Sequence, residues 1–287
     1  MSDLPSVSVV IPVYRQASFI ETCLDAIAAQ TYAGPIEVVV VDDGSPDESA
    51  ERARAHSLAA TVISQENTGV AGARNTGIAR STGELVAFVD ADDLWAPAKL
   101  ERQVAALVKI GKPGLSFTRY RRVSASGAQI AEREHPSVEL NVRPRGLVYQ
   151  NFIGTSTVLV YRTCLERTGG FPTSEVLARG GQDYALWLRV AALFPLVYVP
   201  EVLTDYMVHD HNRVGIDPVR HHTAGLHALQ DFEEWAPERF RPMAGASLRV
   251  VAALRTLRFV RDALKRRHHY PDRAISRAII AARDLVL

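Results

Sequence analysis

Gly83-Glu84-Leu85-Val86-Ala87-Phe88-Val89-Asp90-Ala91-Asp92-Asp93-Leu94-Trp95 is an apolar run that ends in three acids within four positions. Leu85 to Val89 are β-formers with no charge among them, which suits a strand buried on both faces. The acids fall at its carboxyl end. In an open α/β sheet that edge binds ligands, because loops leaving the ends of parallel strands line a shared crevice. Three clustered carboxylates repel one another unless a cation or hydrogen-bond donors offset the charge, and one divalent metal would do so. The alternative is a solvated acidic turn in which Asp92 or Asp93 caps a helix with Pro97 in its first turn.

The stretches before it repeat the pattern. Ser6 to Val13 is a β-branched run whose Pro12 marks the carboxyl edge of a strand and leaves Tyr14 at the mouth of the crevice. Ser18 to Gln30 carries Phe19, Ile20, Cys23, Leu24, Ile27 and Ala28 at helical spacing, with Ser18 and Glu21 as a capping box. Ile36 to Val41 is a second strand that runs into Asp42-Asp43-Gly44-Ser45, after which Asp47 or Ser45 can cap a helix near Glu48. Thr61 to Ser64 is a third strand, followed by Asn67-Thr68-Gly69 and a helix to about Ala79. The run from Leu85 is thus the fourth strand in a β–α series, which predicts a mostly parallel, Rossmann-like sheet flanked by helices. Two strands now deliver Asp pairs to one edge, a coincidence that solvated turns explain poorly.

The blocks Val9-Val10-Ile11-Pro12-Val13-Tyr14, Val40-Val41-Asp42-Asp43-Gly44-Ser45, Asn67-Thr68-Gly69 with Ala73-Arg74-Asn75-Thr76-Gly77, Gly83-Glu84, and Val89-Asp90-Ala91-Asp92-Asp93 stand in one order over about the first 110 residues. In this they resemble the nucleotide-binding half of family 2 glycosyltransferases, which adopt the GT-A fold. The resemblance implies that Pro12 and Tyr14 border a base pocket and that Asp43 accepts a hydrogen bond from the imide N–H of uracil, a match of acceptor to donor. It implies that Arg74 lies near the nucleotide, together with Asp92, and that Asp92 or Asp93 holds the metal bridging the diphosphate. Carboxylate and phosphate oxygens suit Mg²⁺ or Mn²⁺. Arg74 as a solvated helix residue and Tyr14 as a packing residue are the plainer alternatives.

Downstream, an amphipathic helix from Pro97 to about Ile110 carries Leu100, Val104, Leu107 and Val108 and ends at Gly111-Lys112-Pro113-Gly114. Leu115 to Val123 reads as a strand with Arg119, Arg121 and Arg122 interleaved, residues 124–144 as a loop-rich excursion, and Gly154 to Val160 as a strand. Gly169-Gly170-Phe171-Pro172 precedes Gly180-Gly181-Gln182-Asp183-Tyr184, a glycine-rich loop opening a helix with Leu186, Trp187 and Val190 on its apolar face. Asp183 can be a capping residue there. The family places its general base in a motif similar to this one, which makes Asp183 the matching base. Gln182 stands where the family usually has Glu, so a second carboxylate's role does not carry over. After Pro200 comes a short strand, 202–206, and then Met207-Val208-His209-Asp210-His211, similar to the point where some members place a histidine near the metal. His209 is the candidate metal ligand, with His211 second. A solvated histidine is the alternative.

From about residue 217 the chain reads as helical. Val250, Leu254, Leu257, Val260 and Leu264 line one face, with Arg255, Arg258, Lys265 and Arg266 mostly on the other. Such a helix can lie on an anionic bilayer or join two copies of the chain. Packing, equally on its own domain or on a partner subunit, is favoured over the bilayer, since Leu, Val and Ala make an ordinary core stripe that lacks Trp anchors. Ten Lys/Arg against three Asp/Glu from Ser247 onward give a local +7, leaving −6 for the rest of a chain of net charge +1. No global field argues for nucleic acid. Cys23 and Cys164 lie far apart, forming neither a disulfide framework nor a zinc site, and suggest a reducing cytoplasm. The amino terminus lacks a signal-peptide pattern, and no uncharged run nears the roughly 20 residues that span a bilayer. At 287 residues the expected layout is a catalytic domain over 1–215, divided into a nucleotide-binding half (1–110) and an acceptor-binding half (111–215), and a helical extension over 216–287.

The expected activity is metal-dependent, inverting transfer of a sugar from a nucleotide-sugar, UDP favoured, to a saccharide or lipid-linked saccharide acceptor in cell-surface polysaccharide or glycoconjugate synthesis. The expected place is the cytoplasm, with peripheral contact at the inner membrane face open. A sugar nucleotidyltransferase would carry a glycine-rich phosphate loop after the first strand, where this chain has Pro12-Val13-Tyr14-Arg15-Gln16. A dinucleotide-binding dehydrogenase would show Gly-x-Gly-x-x-Gly there. A catalytically silent nucleotide-sugar binding protein acting through its basic tail is disfavoured by the retained Asp92, Asp93 and Asp183.

Overall fold

The computed structural model describes residues 4–124, 127–132, 144–178, 180–209 and 218–265. Most of the expected 124–144 loop, His211, Arg266 and the chain beyond lie outside them. The chain divides into two compact units: Met1–Val142, Ile153–Phe171 and Leu193–His209 form one, and Arg143–Phe152, Pro172–Ala192 and Asp210–Leu287 the other. This differs from a single cut near residue 215, because segments 143–152 and 172–192 group with the carboxyl-terminal helices.

In the first unit β1 (Val7–Val13), α1 (Ile20–Ala28), β2 (Ile36–Asp42), α2 (Ser49–Ala55), β3 (Thr61–Ser64), α3 (Gly69–Arg80) and β4 (Leu85–Phe88) alternate as the periodicity predicts. They form the parallel run β3-β2-β1-β4 of one sheet. β1 and β4 are wholly buried, as suits uncharged, largely apolar strands covered on both faces. Gly77 lets α3 approach β1, since a Cβ there would overlap Val10.

The other half of the sheet is mixed. β8 (Val158–Tyr161) lies antiparallel between β4 and β6 (Leu115–Ser124); β9 (Leu196–Val208) runs parallel to β6 and takes β5 (Leu94–Trp95) antiparallel on its far side. β7 (Gln129–Glu132) returns on β6, a short link that antiparallel pairing permits. α4 (Lys99–Ile110) ends on left-handed Gly111 as expected, and α6 (Arg162–Thr168) follows β8.

Several local expectations are corrected. Phe19, not Ser18, stands at the amino end of α1, and no side chain caps it. The preceding loop is instead tied sideways: the N–H groups of Arg15, Gln16 and Ala17 donate to Ser45 Oγ, Ser49 Oγ and Asp47 Oδ2. α4 is preceded by Ala98, so neither Asp92 nor Asp93 is its cap. Thr155–Thr157 is a 3-10 turn, with the strand starting at Val158. β9 continues through Pro200, because a register shift opposite Thr118 and Arg119 accommodates a residue that cannot donate to the ladder.

The second unit is helical: α5 (Pro144–Tyr149), α7 (Gln182–Leu193), α8 (Pro218–Trp235), α9 (Pro237–Ala244) and α10 (Leu248–Lys265). α7 is buried on nearly all sides, well beyond the expected stripe. α10 is rotated from the expected phase. Leu248, Val251, Ala252 and Thr256 are buried, while Val250, Leu254 and Leu257 are exposed. The cause is polar: Arg255 turns inward to donate to Val148 O at 3.0 Å and Tyr184 Oη at 2.7 Å, and a buried hydroxyl with its donor outweighs a mild apolar stripe. Among the described residues no helix is long and apolar enough to cross a membrane.

Candidate active site

The carboxyl ends of β1, β2 and β4 lie side by side, and the candidate residues of the first unit gather there. Pairing of β1 with β4 stops at Val10, whereas pairing with β2 continues to Val13. Pro12 therefore sits where one side of its strand is free. Tyr14 is exposed beyond it, and Arg15 lies over its ring with φ of 57°, a left-handed conformation held by the three side-chain ties on this loop. From β2, Asp42 accepts the Ser45 N–H at 3.0 Å. Asp43 is buried; its Oδ1 accepts from Gln65 Nε2, Thr68 N and Thr68 Oγ1, and its Oδ2 from Gly69 N. It thus caps the amino end of α3. Of the four donors only Gln65 belongs to a long side chain that can swing aside.

Arg74, on α3, is 5% exposed and donates to Asp90 Oδ1 at 2.5 Å. Its guanidinium also lies over the Phe171 ring, 5.3 Å from the centroid. Neighbouring Asn75 holds that ring in place: its Nδ2 donates to Phe171 O at 2.8 Å and its Oδ1 accepts the Phe171 N–H at 2.9 Å. The Gly-Gly-Phe block, which the sequence reading uses only as the part of the motif preceding Asp183, is thereby a support for Arg74. The arginine is no solvated helix residue.

Asp92 and His209, 117 positions apart, meet at this edge. The turn after β4 and the end of β9 bring Asp92 Oδ2 and His209 Nε2 to 2.9 Å, and the imidazole stacks on Phe19 at 4.9 Å between centroids. Burial, then the charge of Asp90, pushes the Asp92 carboxyl above its usual range, and His209 pulls it back. Such a carboxylate gains from a nearby cation. A carboxylate and an imidazole together suit a divalent ion, so the donor set fits one. Among the described residues no group of three or more His, Cys, Asp or Glu side chains gathers as a ready cage. Asp93 lies behind the pair with 1% exposure, its Oδ1 accepting the Met207 N–H at 3.1 Å and its Oδ2 the Ser156 hydroxyl at 2.5 Å. Burial, with the charges of Asp92 and Asp90, drives its carboxyl well upward.

Asp183 belongs to the other unit, in the first turn of α7 and half-buried, after Gly180 and Gly181 with φ of 134° and 94°. Phe19, Asn75, Phe171 and Ser156 are the participants that residue type alone does not reveal. Asn75, next to Arg74, and Phe171, in the Gly-Gly-Phe block, lie within quoted motifs, whereas Phe19 and Ser156 are read only as parts of a helix and a strand.

The Glycosyl transferase family 2 profile matches residues 8–163, which covers β1, both Asp pairs and Arg74. The glycosyltransferase AglE of Haloferax volcanii is 33% identical over 211 residues, 70% of this chain and 67% of its own length. An uncharacterised glycosyltransferase of Nostoc sp. is 43% identical over 72% of this chain and 66% of its own. The matches thus span about two thirds of these relatives. Among solved structures, the mannosyltransferase PcManGT of Pyrobaculum calidifontis, in complex with GDP-Man and Mn²⁺, is 25% identical with a TM-score of 0.65, covering 98% of this chain and 74% of that one. S. aureus TarS in complex with UDP-GlcNAc is 17% identical, with a TM-score of 0.62 and coverage of 98% and 90%, and shares the fold. With a family profile spanning more than half the chain and laid over the same strand ends that gather Asp43, Arg74, Asp90 and Asp92, this chain belongs to glycosyltransferase family 2.

Proposed function

We propose that the protein transfers a sugar with inversion from a nucleotide-sugar to an acceptor hydroxyl, in the assembly of a polysaccharide or glycoconjugate. The observation that carries this reading is the 2.9 Å approach of Asp92 and His209 at the carboxyl edge, two groups 117 positions apart that share the chemistry of a divalent-ion site. Histidine among the ligands favours Mn²⁺ over Mg²⁺. Among the described residues Asp92 and His209 would hold the ion, and phosphate oxygens of the donor would add to its ligands. The bound ion supplies positive charge against the charge that gathers on the departing diphosphate.

Tyr14 and Pro12 border the base, and Asp43 reads its imide N–H when Gln65 Nε2 gives up its place. Arg74 acts on the donor side through Asp90, whose charge and orientation it fixes. UDP-sugars are the donors to try first, and GDP-sugars second, since a carboxylate accepts equally well from guanine N–H groups. Asp183 removes the proton from the acceptor hydroxyl as that oxygen bonds to the anomeric carbon and the bond from that carbon to the diphosphate breaks. The acceptor is a saccharide, free or lipid-linked.

Calorimetric titration of UDP, GDP and dTDP, each with Mn²⁺ and with chelator, tests the donor site. One nucleotide should bind in a metal-dependent way. Asp183→Asn should then abolish transfer and leave the affinity for that nucleotide within about threefold. Loss of both would make Asp183 structural, and binding of no nucleotide would refute the donor site.

A further inference from the structure

Asp93 is the most enclosed acid of the 90–93 cluster, and both of its oxygens are engaged by the protein. Ser156 Oγ, which donates to Asp93, also accepts the Asp90 N–H at 3.1 Å. The backbone of the same turn closes through Asp93 N–H to Asp90 O at 2.9 Å. One hydroxyl therefore joins both ends of the turn in which Asp92 sits. The other oxygen of Asp93 holds β9 at Met207, two residues before His209. Both halves of the Asp92–His209 pair are fixed through this one side chain.

Ser156 is itself held from behind. Its carbonyl accepts from Trp95 Nε1 at 2.8 Å and Thr204 Oγ1 at 3.3 Å, and the next carbonyl, Thr157 O, accepts from Gln103 Nε2 at 2.9 Å. Lys99, fully buried over the Trp95 ring, donates to Gln103 Oε1. Buried polar groups linked in this way have few alternative arrangements, because each move leaves a donor or acceptor unpaired.

We propose that Asp93 and Ser156 form a positioning pair that sets the separation and orientation of Asp92 and His209, and that Asp93 is not itself a ligand of the ion. This rests on the reading that Asp92 and His209 hold a divalent cation. Asp93 is 1% exposed with a donor on each oxygen, one from Ser156 and one from β9, whereas Asp92 is the acid of the turn that meets His209. Its carboxylate instead plays the outer-shell part that orients groups which touch metal.

Mn²⁺ titration followed by the electron paramagnetic resonance of the free ion, with UDP and separately GDP at saturation, distinguishes the two roles. Asp92→Asn and His209→Ala should weaken Mn²⁺ by more than about 100-fold. Ser156→Ala and Asp93→Asn should each weaken it by about tenfold, the lower end for outer-shell groups. The double variant should be no weaker than either single one, because the two side chains act as one device. Saturating Mn²⁺ should restore nucleotide affinity to Ser156→Ala but not to Asp92→Asn. An Asp93→Asn loss as large as that of Asp92→Asn, with Ser156→Ala binding like the wild type, would overturn the proposal and make Asp93 a ligand. Additive losses in the double variant would overturn the coupling. If Asp93→Asn fails to fold, unchanged Mn²⁺ affinity in Ser156→Ala still refutes the pair. A wild-type protein that binds no Mn²⁺ removes the metal reading itself, and this shows before any substitution is made.

Discussion

Asn75→Ala removes the two hydrogen bonds that fasten α3 to Phe171, and its cost follows from what it leaves behind. The Phe171 residue is 2% exposed, so its N–H and C=O gain little water when Asn75 Oδ1 and Nδ2 are gone. Each of the two hydrogen bonds is worth about 1 kcal/mol net, so their loss together costs roughly 2 kcal/mol. With a urea slope of about 2 kcal/mol/M, the midpoint should fall by roughly 1 M. The same change frees the ring beneath Arg74 and with it the guanidinium that holds Asp90. Donor-nucleotide affinity should therefore fall several-fold in the folded variant at low urea. A midpoint shift below about 0.25 M would refute the claim that these bonds fasten the block. A full stability loss with unchanged nucleotide affinity would separate Phe171 from the site.

Two further outcomes concern the helical unit. Leu257→Ser on α10, at a position 66% exposed, should change stability by less than about 0.5 kcal/mol, whereas Val251→Ala, fully buried, should cost about 1–3 kcal/mol; urea melts of both decide which face is core. His222, buried and stacked on Phe259, is pushed down to about 4 by burial and then by Arg255 and His221. Its native form binds fewer protons than its unfolded form between about pH 6.5 and 4. Stability should therefore drain as pH falls through that window, by at most about 3 kcal/mol for this group, and His222→Gln should flatten the melting temperature between pH 7 and 4.5 if the helix tolerates it. An equally steep profile in a folded variant would assign the acid sensitivity elsewhere.

The first half of the fold is legible because each of its elements is decided locally. Uncharged β-branched runs can only be interior strands, and the acids after β2 and β4 have to be at a carboxyl edge. The misreadings share a different origin. The phase of α10 is set by Arg255 reaching a buried tyrosine, the loop before α1 by side chains thirty positions away, and β9 by a bulge against β6. Each depends on a partner that sequence spacing does not name. The site divides in the same way. Asp92 is visible as an acid in a cluster, but the ring stacked on its histidine and the hydroxyl that bridges the ends of its turn are ordinary residues until the strands bring them together.

The acidic cluster illustrates why three carboxylates at one strand end need three different answers. Asp90 is met by a permanent cation, Arg74, that cannot lose its proton and is walled in by Phe171. Asp93 is met by neutral donors in a place water does not reach. The donors to Asp93 lie in the interior, while Asp90, 35% exposed at its side chain, keeps Arg74 on Oδ1. Asp92 alone faces a group, the His209 imidazole, that offers either a proton or a lone pair according to what lies between them. A cation entering there finds two acceptors and displaces at most one proton, so the pair can open to an ion while its neighbours stay fixed. On that argument a neutral substitute at Asp90 should not free Arg74 for the nucleotide but strand it, and Asp90→Asn should weaken nucleotide binding even though it removes a negative charge from a site for an anion.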